Sequence, residues 1–227
     1  MASPHAGDGV LRSTDAGENP NLARFNSRAK EWDQAPDRVS RAQMIAERIL
    51  EQGLVHPHGE VLDIGCGTGL LSLEIQSQAL RVTALDLAPR MVEALKEKCA
   101  QQSVTNVEPV VADVEREPLP GGKYHLIVSS MTLHHLRDTY ALLQRCFDAL
   151  RPGGALAVAD LDWDASGYHK DDSGVVHPGF ERHNLADQFS RAGFSGVKAT
   201  TVSEEVRSVP DGDEKRFTTF LIWGTRP

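Results

Sequence analysis

One stretch constrains this chain more than any other: Val61 to Leu71, read VLDIGCGTGLL. An apolar run that breaks into glycines and resumes with leucines is a strand, a tight turn and a helix start. Gly65, Gly67 and Gly69 remove side chains where backbone must approach a ligand and where positive φ is needed. Asp63 stands two residues before the first glycine, at the C-terminal end of the strand. A dinucleotide fingerprint is spaced G-x-G-x-x-G and sets a pyrophosphate on the helix N-terminus. Here the spacing is G-x-G-x-G, and the Asp63 carboxylate would repel a pyrophosphate and attract a cation.

Further acidic residues recur where later strands end. RVTALDLA reads as a second strand ending at Asp86, and NVEPVVADVE as a third with Asp113 just past its end. The interval from Asp63 to Asp86 matches the strand-helix-strand return after which a carboxylate hydrogen-bonds ribose hydroxyls. YHLIVSS is a fourth strand, and ALAVADLD a fifth, entered through an Arg151-Pro152-Gly153-Gly154 turn. Helices are expected over about Gly69–Gln78, Met91–Gln102, Asp138–Leu150 and Glu181–Ala192, with final strands at Phe194–Val206 and Lys215–Thr225. Strands alternating with helices predict an α/β fold, whose ligands bind at the C-terminal strand ends.

VLDIGCGTG resembles the first motif of the class I S-adenosylmethionine-dependent methyltransferases, and the resemblance runs from Val61 to the C-terminus. In detail it is closest to the ubiquinone-biosynthesis-like small-molecule methyltransferases. It implies a Rossmann-like methyltransferase fold: a seven-stranded, mostly parallel sheet with an antiparallel last strand, helices on both faces and an N-terminal helical lid. The implied cofactor is S-adenosylmethionine, leaving as S-adenosylhomocysteine. Its sulfonium and ammonium suit a site guarded by Asp63. The implied cofactor-binding set is Asp63, Gly65, Cys66, Gly67, Thr68 and Gly69 on the glycine loop, Asp86, Leu87 and Met91 at the second strand, Asp113 and Val114 at the adenine, and Ser129 at the fourth strand.

Residues 1–20 lack periodicity and are rich in Ala, Ser, Gly, Asp and Pro, which predicts a disordered tail. Residues 21–53 read as two helices separated at Pro36, the first carrying Leu22, Phe25, Ala29 and Trp32 on one face and the second Val39, Ala42, Ile45, Ala46 and Ile49. In the resembling family such helices lie over the cofactor. Residues 54–227 are then the methyltransferase domain. A formal net charge of −8 disfavours non-specific attraction to nucleic acid. No apolar run approaches the roughly 18 residues of a membrane span. Three cysteines, with no C-x-x-C pair, fit a reducing compartment. The expectation is a cytoplasmic monomer or homodimer with no nucleic-acid or membrane partner.

The acceptor is read from the residues just beyond the fourth strand. Ser129-Ser130-Met131-Thr132 stands where relatives that methylate base amines or protein amides carry an Asn/Asp-Pro-Pro-aromatic motif, and no Pro-Cys pair offers a thiolate nucleophile. A small-molecule acceptor is therefore expected, methylated at O, N, S or C. The alternatives are a non-catalytic S-adenosylmethionine-binding subunit and an enzyme acting on protein or RNA. His134 and His135 sit at the mouth of the fourth strand and are the first candidates for a general base, followed by His177 in a long connection after the fifth strand. Phe25, Trp32 and His169 are expected to face the acceptor. Histidine and Asp160, Asp162 and Asp164 permit metal chemistry by residue type, but their spacing specifies no ligand set, and no metal is assigned.

Overall fold

The computed structural model describes residues 19–120, 124–163, 165, 167–169, 174–209 and 213–227. All but two residues of the expected N-terminal tail, and Asp164, lie outside them. In chain order the elements are α1 (Pro20–Arg28), a 3-10 segment (Ala29–Gln34), α2 (Pro36–Glu51), β1 (Glu60–Ile64), α3 (Leu70–Ile75), β2 (Arg81–Asp86), α4 (Pro89–Gln101) and β3 (Val107–Val111). There follow β4 (Tyr124–Ser130), α5 (Thr139–Ala149), β5 (Leu150–Leu161), α6 (Arg182–Ala192), β6 (Ser195–Ser208) and β7 (Glu214–Thr225).

Seven strands form one sheet in the order β3-β2-β1-β4-β5-β7-β6. The pairings from β3 through to β5 are parallel, and β7 runs antiparallel to both β5 and β6. This is the mostly parallel sheet with an antiparallel last strand that the glycine-loop resemblance implied. The order reverses direction between β1 and β4, and the crevice above the carboxyl ends of those strands is where open α/β sheets take ligands.

Alternating side chains divide the core. Val61 of β1 and Val128 of β4 belong to one layer with Ile45, Ala46 and Ile49 of α2, Leu71 and Ile75 of α3 and Leu95 of α4. Leu62 and Ile64, one position out of phase, belong to the other with Leu142 and Leu143 of α5 and Leu185 and Phe189 of α6. α2 thus packs as a helical layer of the sheet as well as lining the crevice, whereas α1 and the 3-10 segment rest on Ala88 and Met91 through Leu22, Phe25, Ala29 and Trp32.

Local departures from the sequence reading have simple causes. The first helix passes into a 3-10 segment at Ala29, and Asp33 at its end is drawn down to Thr68 and Lys98. Arg151-Pro152-Gly153-Gly154 lies within β5 rather than before it. The extra residues are absorbed as a register shift between Tyr124 and Leu126, with Gly153 at φ +78° donating to the Arg226 carbonyl at the chain's end.

Candidate active site

The glycine loop leaves β1 and turns into α3 with Gly65, Gly67 and Gly69 all at positive φ. Only one of the three opens toward ligand. A Cβ on Gly65 would collide with the Thr132 side chain, and one on Gly69 would collide with Leu95, so those two glycines make room for protein. A Cβ on Gly67 would meet nothing nearer than the Trp32 indole nitrogen at 3.8 Å. The loop's ligand-facing surface is Gly67 backbone beneath the Trp32 ring.

A cavity of about 600 Å³ runs from this loop to the histidines. Asp63, Gly65, Cys66, Gly67, Asp86, Leu87, Met91, Asp113 and Val114 line one part; Phe25, Trp32, His134, His135 and His169 line the rest. Asp63 is fully buried, and its Oδ2 accepts the Ser72 hydroxyl at 2.6 Å. Its Oδ1 is buried with no partner among the described residues. Burial, assisted by the Asp86 charge and opposed by Ser72, pushes the Asp63 carboxyl up to about 7. A buried carboxylate oxygen on a cavity wall, without a donor, is suited to an incoming cation.

Asp86 accepts the Gly67 and Ala88 amides, each at 2.8 Å, which fixes its carboxylate plane while leaving lone pairs for hydroxyl donors. Burial raises its carboxyl, with the two amides acting in the opposite sense. Asp113 accepts the Glu115 amide at 2.9 Å, so Val114 is held beside it at the cavity wall. Cys66 also lines the cavity, but burial and the Asp86 and Asp63 charges push its thiol well above the usual range, and it is no nucleophile.

Four expected contacts fall elsewhere, Gly69 against Leu95 among them. The Thr68 hydroxyl donates to Asp33 at 2.5 Å and ties the cover to the loop, away from the cavity lining. Ser129 is buried and donates to the Ile64 carbonyl at 3.0 Å, so the residues at the end of β4 that reach the cavity are Ser130, Met131 and Thr132. Met131 takes φ +55°, a strained turn that swings the chain out of β4 toward the site. His177 donates from Nε2 to the Leu136 carbonyl at 2.9 Å and lines a smaller cavity of about 180 Å³ behind the site, which shares only His169 with the main one. Its ring lies outside the lining of the main cavity.

His134 and His135 come after β4 in a short 3-10 turn, Leu133–His135. Asp160, fully buried near the end of β5, accepts His134 Nδ1 at 2.7 Å, the Leu161 amide at 2.8 Å and the His134 amide at 3.3 Å. Burial opposes its ionisation, yet His134 and the amides together hold its carboxyl below the usual carboxylate range. His135 Nδ1 donates to the Gly174 carbonyl at 2.8 Å. Burial first, and His134 next, lower His135 to about 4 and His169 to about 3, so both rings are neutral near pH 7.

Two segments meet across the cavity. Asn21 at the start of α1 donates to the same Gly174 carbonyl at 3.0 Å, joining the first helix to the connection that carries His169. Phe25 packs edge-on against both Trp32 and His135, with centroids 5.7 and 5.3 Å apart. From α2, Arg41 reaches the Tyr168 hydroxyl at 2.6 Å and Glu205 at 3.3 Å. Sequence alone does not single out Tyr168, Arg41, Arg38 or Arg207, because they come together only when β6 passes beneath α2. Asp160 carried a usable signal: a carboxylate inside the apolar run ALAVADL is costly without a buried partner.

Residues 61–154 match the family described as a methyltransferase domain. Over that span the chain is similar to the S-adenosylmethionine-dependent methyltransferases. It is 34% identical over 117 residues to the malonyl-[acyl-carrier protein] O-methyltransferase of Serratia marcescens, covering 52% of this chain and 44% of that protein. It is 24% identical over 154 residues to the ubiquinone biosynthesis O-methyltransferase of Coxiella burnetii, covering 66% and 65%. The chain thus spans from under half to under two thirds of the length of these curated relatives. Its fold is shared with the phosphoethanolamine N-methyltransferase 2 of Haemonchus contortus solved with S-adenosyl-L-methionine, at a TM-score of 0.66 and 15% identity, over 89% of this chain and 60% of that one. Among the described residues, no helix is long and apolar enough to cross a membrane.

Proposed function

We propose that this methyltransferase moves a methyl group from S-adenosylmethionine to a small, anionic acceptor held beneath α1 and α2. The observation that carries the reading is the continuous cavity joining the carboxylates at the β1, β2 and β3 ends to the imidazoles beyond β4. The residues fit the cofactor. The unpartnered Asp63 Oδ1 suits the cofactor's ammonium, the fixed Asp86 carboxylate its ribose hydroxyls, and Asp113 with Val114 its adenine. When bound, the cofactor supplies a methyl on a sulfonium, which the acceptor's lone pair takes by in-line displacement as the carbon–sulfur bond breaks toward sulfur.

For such a displacement the chain must orient the acceptor, exclude water and accommodate the acceptor's proton. Phe25 and Trp32 supply apolar walls and cover. His134, His135 and His169 supply imidazole nitrogens at the far end, where a hydroxyl acceptor would lose its proton. The acceptor's negative charge is argued from Arg24, Arg28, Arg38, Arg41 and Arg207, which share the lining on the cover side. Burial first, then Arg28 and Arg41, lower the Arg38 guanidinium, with Tyr168 acting in the opposite sense, while Glu205 pairs with both Arg41 and Arg207. The relatives' names, O-methyltransferases for malonyl-[acyl-carrier protein] and in ubiquinone biosynthesis, support oxygen as the methylated atom.

The test is release of S-adenosylhomocysteine by the purified chain with a panel of hydroxy acids, phenolic acids and phosphate-bearing amines. Release with hydroxyl acids alone is the expected result. Cofactor binding without release from any panel member would instead favour a non-catalytic binding subunit.

A further inference from the structure

The three imidazoles at the acceptor end act as one group. One ring nitrogen from each of His134, His135 and His169 lies within 4.8 Å of the others, and the ring centroids are 4.0, 5.1 and 5.8 Å apart. Their hydrogen bonds fix which nitrogens face inward. The Asp160 carboxylate takes Nδ1 of His134, so Nε2 is the ring nitrogen left to face away from it. The Gly174 carbonyl takes Nδ1 of His135 in the same way. Nε2 of His134 and Nε2 of His169 are both buried without a partner among the described residues.

A buried ring nitrogen without a partner is costly, and two of them beside a third imidazole call for a shared ligand. A general base would need one imidazole. Three converging rings, one backed by a buried carboxylate and another by a backbone carbonyl, have the outer support found behind metal-bound histidines. We propose that His134, His135 and His169 bind a divalent transition metal of the zinc class, leaving an open position for the acceptor's oxygen. An all-imidazole set suits zinc, cobalt, nickel, copper or iron and not magnesium or calcium, which take oxygen ligands.

Geometry sets a requirement. Zinc–nitrogen bonds of about 2.1 Å place tetrahedral ligand atoms about 3.4 Å apart, so a pair at the 4.8 Å limit must close by about 1.4 Å. His134 is held by Asp160 and His135 by the Gly174 carbonyl, so the adjustment falls to His169. Imidazole ligands bring no negative charge, so a dication there calls for an anionic co-ligand. The acceptor supplies one. The metal would lower the pKa of an acceptor hydroxyl, whose proton leaves to solvent. The oxygen lone pair then forms the new bond to the methyl carbon while the carbon–sulfur pair stays on sulfur.

This proposal rests on the methyl-transfer reading, and the test separates the two. The full chain is stripped with EDTA and titrated with Co²⁺, followed by visible absorption and then displacement with Zn²⁺, while S-adenosylhomocysteine binding is measured by calorimetry on the same preparation. One Co²⁺ per chain is expected, displaced by Zn²⁺. His169→Ala and His135→Ala should each weaken Co²⁺ at least tenfold, and Asp160→Asn about tenfold or more, with S-adenosylhomocysteine affinity changed less than about twofold. His169→Gln, on the connection, serves if His135→Ala does not fold. His56→Ala, in the separate cluster with His58 and His125, should leave Co²⁺ binding unchanged. A chain that binds S-adenosylhomocysteine but no stoichiometric Co²⁺, or whose Co²⁺ survives His169→Ala and His135→Ala, overturns the metal site alone. A chain that binds Co²⁺ as stated but not S-adenosylhomocysteine overturns the methyl-transfer reading.

Discussion

Replacing Asp63 by asparagine should make the ligand-free protein more resistant to alkaline conditions while weakening its grip on cofactor. The carboxyl is raised from 3.8 to about 7 because it is buried with one oxygen unpartnered. A folded-state pKa above the unfolded one gives stability that is fully present below the unfolded value and lost as pH rises through the folded value. The loss runs at up to about 1.36 kcal/mol per pH unit, so ionising Asp63 costs roughly 4 kcal/mol in all and about 2 kcal/mol between pH 5 and pH 7. The amide oxygen of an asparagine here would still accept from Ser72, and its side chain would carry no charge. Urea unfolding at about pH 5 and about pH 8 should therefore show the stability gap between Asp63→Asn and the parent widening in the mutant's favour by roughly 3 kcal/mol. Calorimetry should show S-adenosylhomocysteine bound about tenfold to 150-fold more weakly, the equivalent of about 1.5 to 3 kcal/mol for a lost charge-assisted hydrogen bond. Parallel pH profiles for the two proteins, or unchanged affinity, would refute the assignment of a buried charge waiting for a cation.

Asp86→Ala should cost about 2 to 4 kcal/mol of S-adenosylhomocysteine affinity by calorimetry in a folded chain, since it removes the carboxylate that suits two ribose hydroxyls. Thermal shift should show stabilisation by S-adenosylhomocysteine and none by NAD, because Asp63 opposes a pyrophosphate at the glycine loop. Deleting the residues before Asp37 removes Phe25, Trp32 and the Asp33 ties but keeps α2 in the core; turnover should vanish while part of the cofactor affinity survives. His177→Ala should leave KM and kcat within about threefold of the parent, because its ring supports the Leu136 carbonyl and lies outside the main cavity.

The fold was legible because β1, β2 and β4 are apolar runs with charge only at or near their ends, and glycine, proline and asparagine punctuate them. The cofactor half of the site was legible for the same reason: Asp63, Asp86 and Asp113 are fixed by strand ends, and strand ends show in local pattern. Thr68 and Ser129 are expected in the site because the resemblance places them in the cofactor-binding set. Loop and strand directions turn their hydroxyls to Asp33 and the Ile64 carbonyl instead. The acceptor half was less legible. His134, His135 and His169 stand out in the sequence, but that His169 joins the pair and His177 does not depends on how the connection folds back, with Val176 and His177 amides both on the His134 carbonyl. Arg41 and Tyr168 stand 127 residues apart, and no local pattern announces their contact.

The most direct measurement is a crystal structure of the chain soaked with S-adenosylhomocysteine. The expected density has the adenine beside Asp113 and Val114, the ribose hydroxyls on Asp86, the amine within hydrogen-bond reach of Asp63 Oδ1, and the sulfur directed into the space walled by Phe25 and the three histidines. Density with the sulfur turned away from His134, His135 and His169, or a ligand bound outside the cavity, would contradict the proposed direction of methyl transfer.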